Sequence, residues 1–136
     1  MAWVVDTCIV LDLVLPASAW QASSANCLWR LAGEGVCVCP ITFAELGPAF
    51  GGDPAVAEGF LATASINWRE PWLEVDTAAA HRLWHQYRIQ RQAGLAAKRP
   101  IADVLIAAFA SRFQGIITRN AADFRQIDRN ITIVEP

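Results

Sequence analysis

The sequence predicts an α/β fold built on a mostly parallel sheet, and three observations point there. Short apolar, β-branched or aromatic runs recur at residues 2–6 (AWVVD), 36–40 (VCVCP), 72–76 (WLEVD), 115–118 (GIIT) and 131–135 (ITIVE). Longer stretches with helical spacing lie between them, the alternation expected of βα units. The chain has 136 residues, is 54% hydrophobic and has no internal repeat or low-complexity stretch, which suits one domain over residues 1–136.

The elements follow in chain order. Residues 2–6 make a strand ending at Asp6, and a helix starts near Cys8. The apolar start with Pro16-Ala17-Ser18-Ala19 superficially resembles a secretory leader, but no Lys or Arg precedes it, and Asp6 and Asp12 interrupt it. Ala25, Leu28, Trp29 and Ala32 fall at helical spacing, and Gly33 and Gly35 stop that helix. In the strand VCVCP, Cys37 and Cys39 share a face and cannot easily bond to each other. Thr42-Phe43-Ala44-Glu45 has the form of a capping box, with Glu45 at the start of the helix after that strand. GPAFGGDP is a loop, without the Gly-Lys-Ser/Thr ending that cradles phosphate, and Pro54 opens a helix through about Ala64. After a strand at 72–76, residues 77–94 form a long helix ending at Gly94. A further helix has Pro100 and Asp103 in its first turn and ends before Gly115. The strand GIIT leads to a helix with Asn120 as N-cap and Asp123 in its first turn. ITIVE is the last strand.

Composition narrows the functional classes. No run approaches the roughly 18 apolar residues of a membrane span. Four cysteines, at 8, 27, 37 and 39, show no CxxC pair and no metal-ligand spacing with His, so they are expected reduced and buried in a cytoplasmic protein. Six Trp suggest a dense core and an oligomer surface. The net charge of −2 conceals an asymmetry, because no acid lies between Asp76 and Asp103 while Arg82, Arg88, Arg91, Lys98 and Arg99 fall there. That stretch is either a phosphate footprint or a solvated basic helix face. His81 and His85 lie one helical turn apart without the Glu of an HExxH motif, and are expected at the surface or in packing.

Four acids remain: Asp6, Glu45, Asp103 and Asp123. Each alone is explained by the preference of helix starts for negative charge. Together they fall where the strands of a parallel sheet end and the following helices begin, at the edge where such folds bind ligands. Converging carboxylates raise one another's pKa and repel unless a cation or shared protons relieve them. A hard divalent ion such as Mg²⁺ or Mn²⁺ is the natural relief.

In the order of those acids, and in DVLIAAFA followed by GIITRNAADF, the chain resembles the PIN-domain ribonucleases. Its size and its ending TRNAADFRQIDRNITIVEP are similar to the VapC-type toxins of bacterial toxin–antitoxin pairs. DTCIVLDLVL and TFAEL occur in the matching order. The resemblance covers essentially the whole chain and implies a three-layer α/β/α sandwich and a metal-dependent endoribonuclease. It implies a catalytic site of Asp6, Glu45, Asp103 and Asp123, with Mg²⁺ or Mn²⁺ held by Asp6, Asp103 and Asp123. Thr118 and Cys8 would support that site, Cys8 standing where the family commonly has Ser or Asn. It also implies an RNA substrate, a cognate antitoxin and a homodimer, and Arg88, Arg91, Lys98 and Arg99 would line the RNA path. Two other readings of the same acids are an aspartyl-phosphate phosphatase or receiver domain, and a binding module without turnover.

Overall fold

Strands that are apolar on both faces belong to a sheet covered on both sides. The computed structural model, which describes residues 2–92 and 101–136, has that arrangement. In β1 (Trp3–Val5) every residue is buried; Trp3 and Val5 enter one hydrophobic cluster and Val4 the other. In β2 (Val36–Cys37) and the two residues beyond it, Val36 and Val38 face the first cluster, Cys37 and Cys39 the second. The two cysteines therefore share a face, and all four cysteines are free. β3 (Gly115–Ile117) divides in the same way, with Ile117 in the first cluster and Ile116 in the second.

Helices supply the two outer layers. Ile9 and Val10 of α1 (Thr7–Val14), Cys27 and Leu28 of α2 (Gln21–Leu31) and Leu61 of α4 (Pro54–Thr63) fill the first cluster. Between α2 and α4 lies the six-residue α3 (Pro40–Glu45). The second cluster takes Tyr87 from α5 (Glu74–Gln92), Val104 and Phe109 from α6 (Ile101–Ala110), and Phe124 and Ile127 from α7 (Ala121–Ile127). The result is the three-layer α/β/α sandwich. Local chemistry marks several boundaries: Asp53 caps α4 by accepting from the Ala55 amide at 3.0 Å with Pro54 following it, and Gly35, at φ +90°, ends the 3₁₀ turn after α2.

With β4 (Ile133–Val134) the sheet has the order β2-β1-β3-β4, and every pairing is parallel. The chain leaves β1 toward β2 on one side and later returns to place β3 on the other. β1 and β3 therefore flank the point where the strand order reverses, and the crevice at their C-terminal ends is the usual ligand site of such sheets.

Two expectations are corrected. WLEVD is not a strand: Glu74, Val75 and Asp76 are the first turn of α5. The reason is Asp76, whose Oδ2 accepts from the Leu73 amide at 2.8 Å, the reach-back of an N-terminal helix cap. Arg112 locks it there, with Nε 2.6 Å from Oδ1 and Nη2 2.9 Å from Oδ2, while its guanidinium lies over the rings of Phe109 and Phe113. The capping box at residues 42–45 is also absent. The N-cap of α3 is Cys39, Thr42 is buried inside the helix, and Glu45 is its last residue, because Pro40 opens the helix earlier. His81 and His85 are exposed on α5, while Gly94, Lys98, Arg99 and Pro100 lie outside the described residues.

The β3–β4 pair depends on the missing side chain of Gly115. A Cβ there would lie 2.2 Å from the carbonyl oxygen of Thr132, beside the bond from the Ile116 amide to that oxygen at 2.9 Å. Gly115→Ala is expected to lower stability by about 3 kcal/mol through this overlap, measured by urea unfolding. A loss under about 0.5 kcal/mol, the scale of an ordinary surface change, would show that β4 is not held this tightly.

Candidate active site

Among the described residues three aspartates are buried: Asp6, Asp12 and Asp76. Ionised carboxylates are costly away from water unless a cation or several donors compensate them. Asp76 has Arg112, and Asp12 has Arg119. Asp6 makes no ion pair among the described residues: its hydrogen-bond donors are neutral, and the Arg119 charge reaches it only through space. Its Oδ1 accepts from the Thr7 amide at 2.8 Å, as the N-cap of α1. Its Oδ2 accepts from the Thr118 hydroxyl at 2.6 Å and from the Cys8 thiol at 3.3 Å.

These contacts follow from topology. Val5 pairs with Ile117, so the next residues, Asp6 and Thr118, emerge side by side from the two central strands. Burial raises the pKa of Asp6 above the ordinary 3.8; the bonds from Thr118, Cys8 and Thr7 pull it down, and the charge of Glu45 adds to the rise. The ionised form of Asp6 therefore opposes folding as pH climbs past the ordinary carboxylate range. A cation at this position would reverse that cost.

Glu45 is brought to the same place by a different route. It is exposed at the end of α3, and its Oε1 accepts from the Thr7 hydroxyl at 2.7 Å. That hydroxyl also lies 3.1 Å from the hydroxyl of Thr42. Thr7 thus joins the two acids, its amide on Asp6 and its hydroxyl on Glu45. Asp103 is half-buried in the first turn of α6. That helix runs about 15 Å and turns through four residues into β3, with the Gln114 amide on the Ala2 carbonyl, so its start lies toward the strand C-termini. Asp123 is half-buried in the first turn of α7, just beyond Thr118. Asn120 occupies the N-cap but makes no side-chain capping bond; its amide donates to the Thr118 hydroxyl at 2.9 Å.

The structure therefore joins Asp6, Cys8, Thr118 and, through Thr7, Glu45, and sets Asp103 and Asp123 at helix starts on that edge. Among the described residues, no three His, Cys, Asp or Glu side chains approach closely enough to hold a metal ion as they stand. The donor set is carboxylate oxygen, the chemistry of Mg²⁺ or Mn²⁺ rather than of a thiolate metal. Burial, followed by the charge of Asp6, pushes the Cys8 thiol up to about 11, so at neutral pH it stays protonated, a weak hydrogen-bond donor to Asp6. Arg88 and Arg91 are half-buried on α5.

Sequence reasoning missed Thr7, Thr42 and the partnership of Asp12 with Arg119. Asp12 accepts from Arg119 at 2.8 and 2.9 Å, from Ser24 at 2.8 Å and from Ser18 at 3.0 Å. An acid inside the apolar run of α1 was the available signal; its distant partner was not. Burial works to raise the pKa of Asp12, but the bonds from Arg119, Ser24 and Ser18 outweigh it, and the net shift is downward.

A depressed folded-state pKa means that the contribution of Asp12 to stability is present above the unfolded value near 3.8 and is lost as pH falls below it. Asp12→Asn is expected to cost about 2 kcal/mol at pH 7, because Arg119 loses its charged partner while staying partly solvated. The variant should also lose less stability than the parent between pH 4 and lower pH, as followed by thermal melts across that range. Parallel curves for parent and variant would contradict the assignment.

No family model matches the sequence, and no curated protein does. Solved structures match its fold. A chain of VapBC2 from Rickettsia felis, solved bound to a DNA fragment from their promoter, gives a TM-score of 0.70 with 21% identity over 100% of this chain and 99% of that one. A chain of FitAB bound to the IR36 DNA fragment gives 0.71 with 19% identity over 100% and 95%. FitAcB from Neisseria gonorrhoeae gives 0.63 with 20% identity over 98% and 96%. The chain thus has the fold of these VapBC2 and FitAB chains, the PIN-like α/β/α sandwich.

Proposed function

We propose that this chain is a metal-dependent endoribonuclease, the toxin of a toxin–antitoxin pair, that cleaves RNA at the acids around Asp6. The observation that carries the reading is the contrast among the buried aspartates: two are neutralised by arginine, and the one at the topological switch point has neutral donors and an acidic neighbour. Such a carboxylate caps α1 but keeps a net cost of burial when ionised, and is suited to a cation that arrives with function. The fold shared with VapBC2 and FitAB supports an antitoxin as partner.

In this reading Asp6, Asp103 and Asp123 hold Mg²⁺ or Mn²⁺, and Glu45 completes the acidic site. The ion supplies, when bound, a water of lowered pKa and positive charge against the phosphodiester. Thr118 and the Thr7 amide fix the orientation of the Asp6 carboxylate, one on each oxygen. The Thr7 hydroxyl holds Glu45 beside it. Arg88, Arg91, Lys98 and Arg99 meet RNA phosphates, and two copies of the chain form a homodimer. A phospho-acceptor role fits less well, since Asp6 is only 3% exposed and both of its oxygens are engaged.

Replacing Asp103 by Asn should lower RNA cleavage by roughly 10² or more while the circular dichroism spectrum stays native, equivalent to about 3 kcal/mol of transition-state stabilisation. A folded Asp103→Asn protein that cuts RNA at the parental rate sinks the site. Cys8→Ser should cut as fast as the parent or faster, and alkylating agents should not inactivate the parent; inactivation by the substitution would point to covalent catalysis instead. Neutralising Arg88 or Arg91 should lower the slope of log affinity against log salt by about 0.7 for each RNA phosphate that the arginine neutralises. An unchanged slope with weakened dimerisation would move these residues to a protein interface.

A further inference from the structure

The turn between α1 and α2 builds a cleft of about 620 Å³ beside the acids, walled by Cys8, Leu15, Pro16, Trp20 and Arg119. We infer that this cleft seats an unstacked nucleobase of the RNA that the Asp6 site cleaves, an inference that rests on the nuclease reading above. Its size falls in the range of small-molecule sites. Its position supplies the link to chemistry: Cys8 is part of its wall, and the Cys8 thiol is 3.3 Å from Asp6 Oδ2. A base held there brings its own phosphate, or the next, to the acids.

The walls have the chemistry of a base site. Trp20 is 47% exposed, a large open area for an indole, yet its ring is not loose, because the Arg119 guanidinium lies 5.1 Å from its centroid. Arg119 is in turn immobilised on Asp12 through Nε and Nη2, and Ser18 and Ser24 hold the same carboxylate. These linked side chains fix a partly exposed aromatic plane in the wall of the cleft, as stacking on single-stranded RNA requires. The Nη1 group of Arg119 takes no part in the Asp12 pair and adds a cationic donor edge suited to base carbonyls or phosphate oxygens. Asp12 thereby gains a role: it lies one helical turn beyond Cys8 on α1 and sets the platform through Arg119.

The test uses Asp103→Asn protein, so that RNA is bound without being cut, and a labelled single-stranded RNA of mixed sequence, about 12 nucleotides long, read by fluorescence anisotropy. Adding Trp20→Ala should weaken binding by roughly 10-fold, the scale of a single base–aromatic stack, and Trp20→Phe should restore most of it. An oligomer of the same length with abasic residues should bind equally with and without Trp20. The salt slope should not change, because an indole carries no charge. Equal RNA affinity in the Trp20→Ala protein overturns the inference, as does an equal loss on the abasic oligomer. Unchanged RNA binding with weakened self-association in sedimentation also overturns it and makes the cleft a protein contact. If the unsubstituted protein cleaves RNA while Trp20→Ala has no effect on binding, only the cleft assignment falls. If the unsubstituted protein neither binds nor cleaves RNA, the nuclease reading falls and this inference falls with it.

Discussion

Two parallel strands in register place a buried carboxylate and a buried hydroxyl side by side at the centre of this molecule. The bond from Thr118 to Asp6, 2.6 Å long, spans the point where strand order reverses, and the rest of the site is arranged around it. β1 can end in an acid there only because α1 begins at once and offers the Thr7 amide. Thr118 in turn orders the start of α7 by accepting from the Asn120 amide, which sets the helix that carries Asp123. The hydrophobic layers on either side keep water from the strands, and so make the polar bonds at their ends both strong and necessary.

Asp6, Asp12 and Asp76 show how environment separates one residue type into different tasks. Asp76 ties the first turn of α5 to Arg112, a link between α5 and the turn after α6. Asp12 gathers α1, α2 and the second residue after β3 through Ser24, Ser18 and Arg119, and its pKa falls. Both carry a matched positive charge, so both contribute to the fold as it stands. Asp6 has the opposite net shift: burial, with the charge of Glu45, raises its pKa against the hydrogen bonds from Thr118, Cys8 and Thr7. Among the described residues, arginines form ion pairs with two of the buried acids and not with the third.

Local propensity misread two segments, and both errors have the same cause. WLEVD has the alternation of a strand, but a hydrogen bond within four residues and a guanidinium 36 positions away hold Asp76 in a helix. TFAEL has the spacing of a capping box, but Pro40 starts the helix earlier and the acid at its end is drawn to Thr7, 38 residues distant. In each case a carboxylate answered to a partner far away in sequence, which periodicity does not encode. Four of the strand-like runs did become strands; in three of them, β1, β2 and β3, burial on both faces left little choice of residue type, while β4 at the sheet edge is half-buried.

The sequence by itself determined the parallel α/β class of the fold, the free state of the cysteines and the acids near strand ends, since each depends on residue type and short-range pattern. It also showed that Asp6 and Asp12 were out of place in apolar runs. Only the tertiary structure decided which of those two acids is neutralised. That choice depends on Arg119 and Thr118, adjacent in the chain: the arginine is directed to Asp12 and the hydroxyl to Asp6. Strand register made the difference, because pairing of Val5 with Ile117 puts residue 118 beside residue 6 and leaves residue 119 to reach past it to Asp12, further along α1.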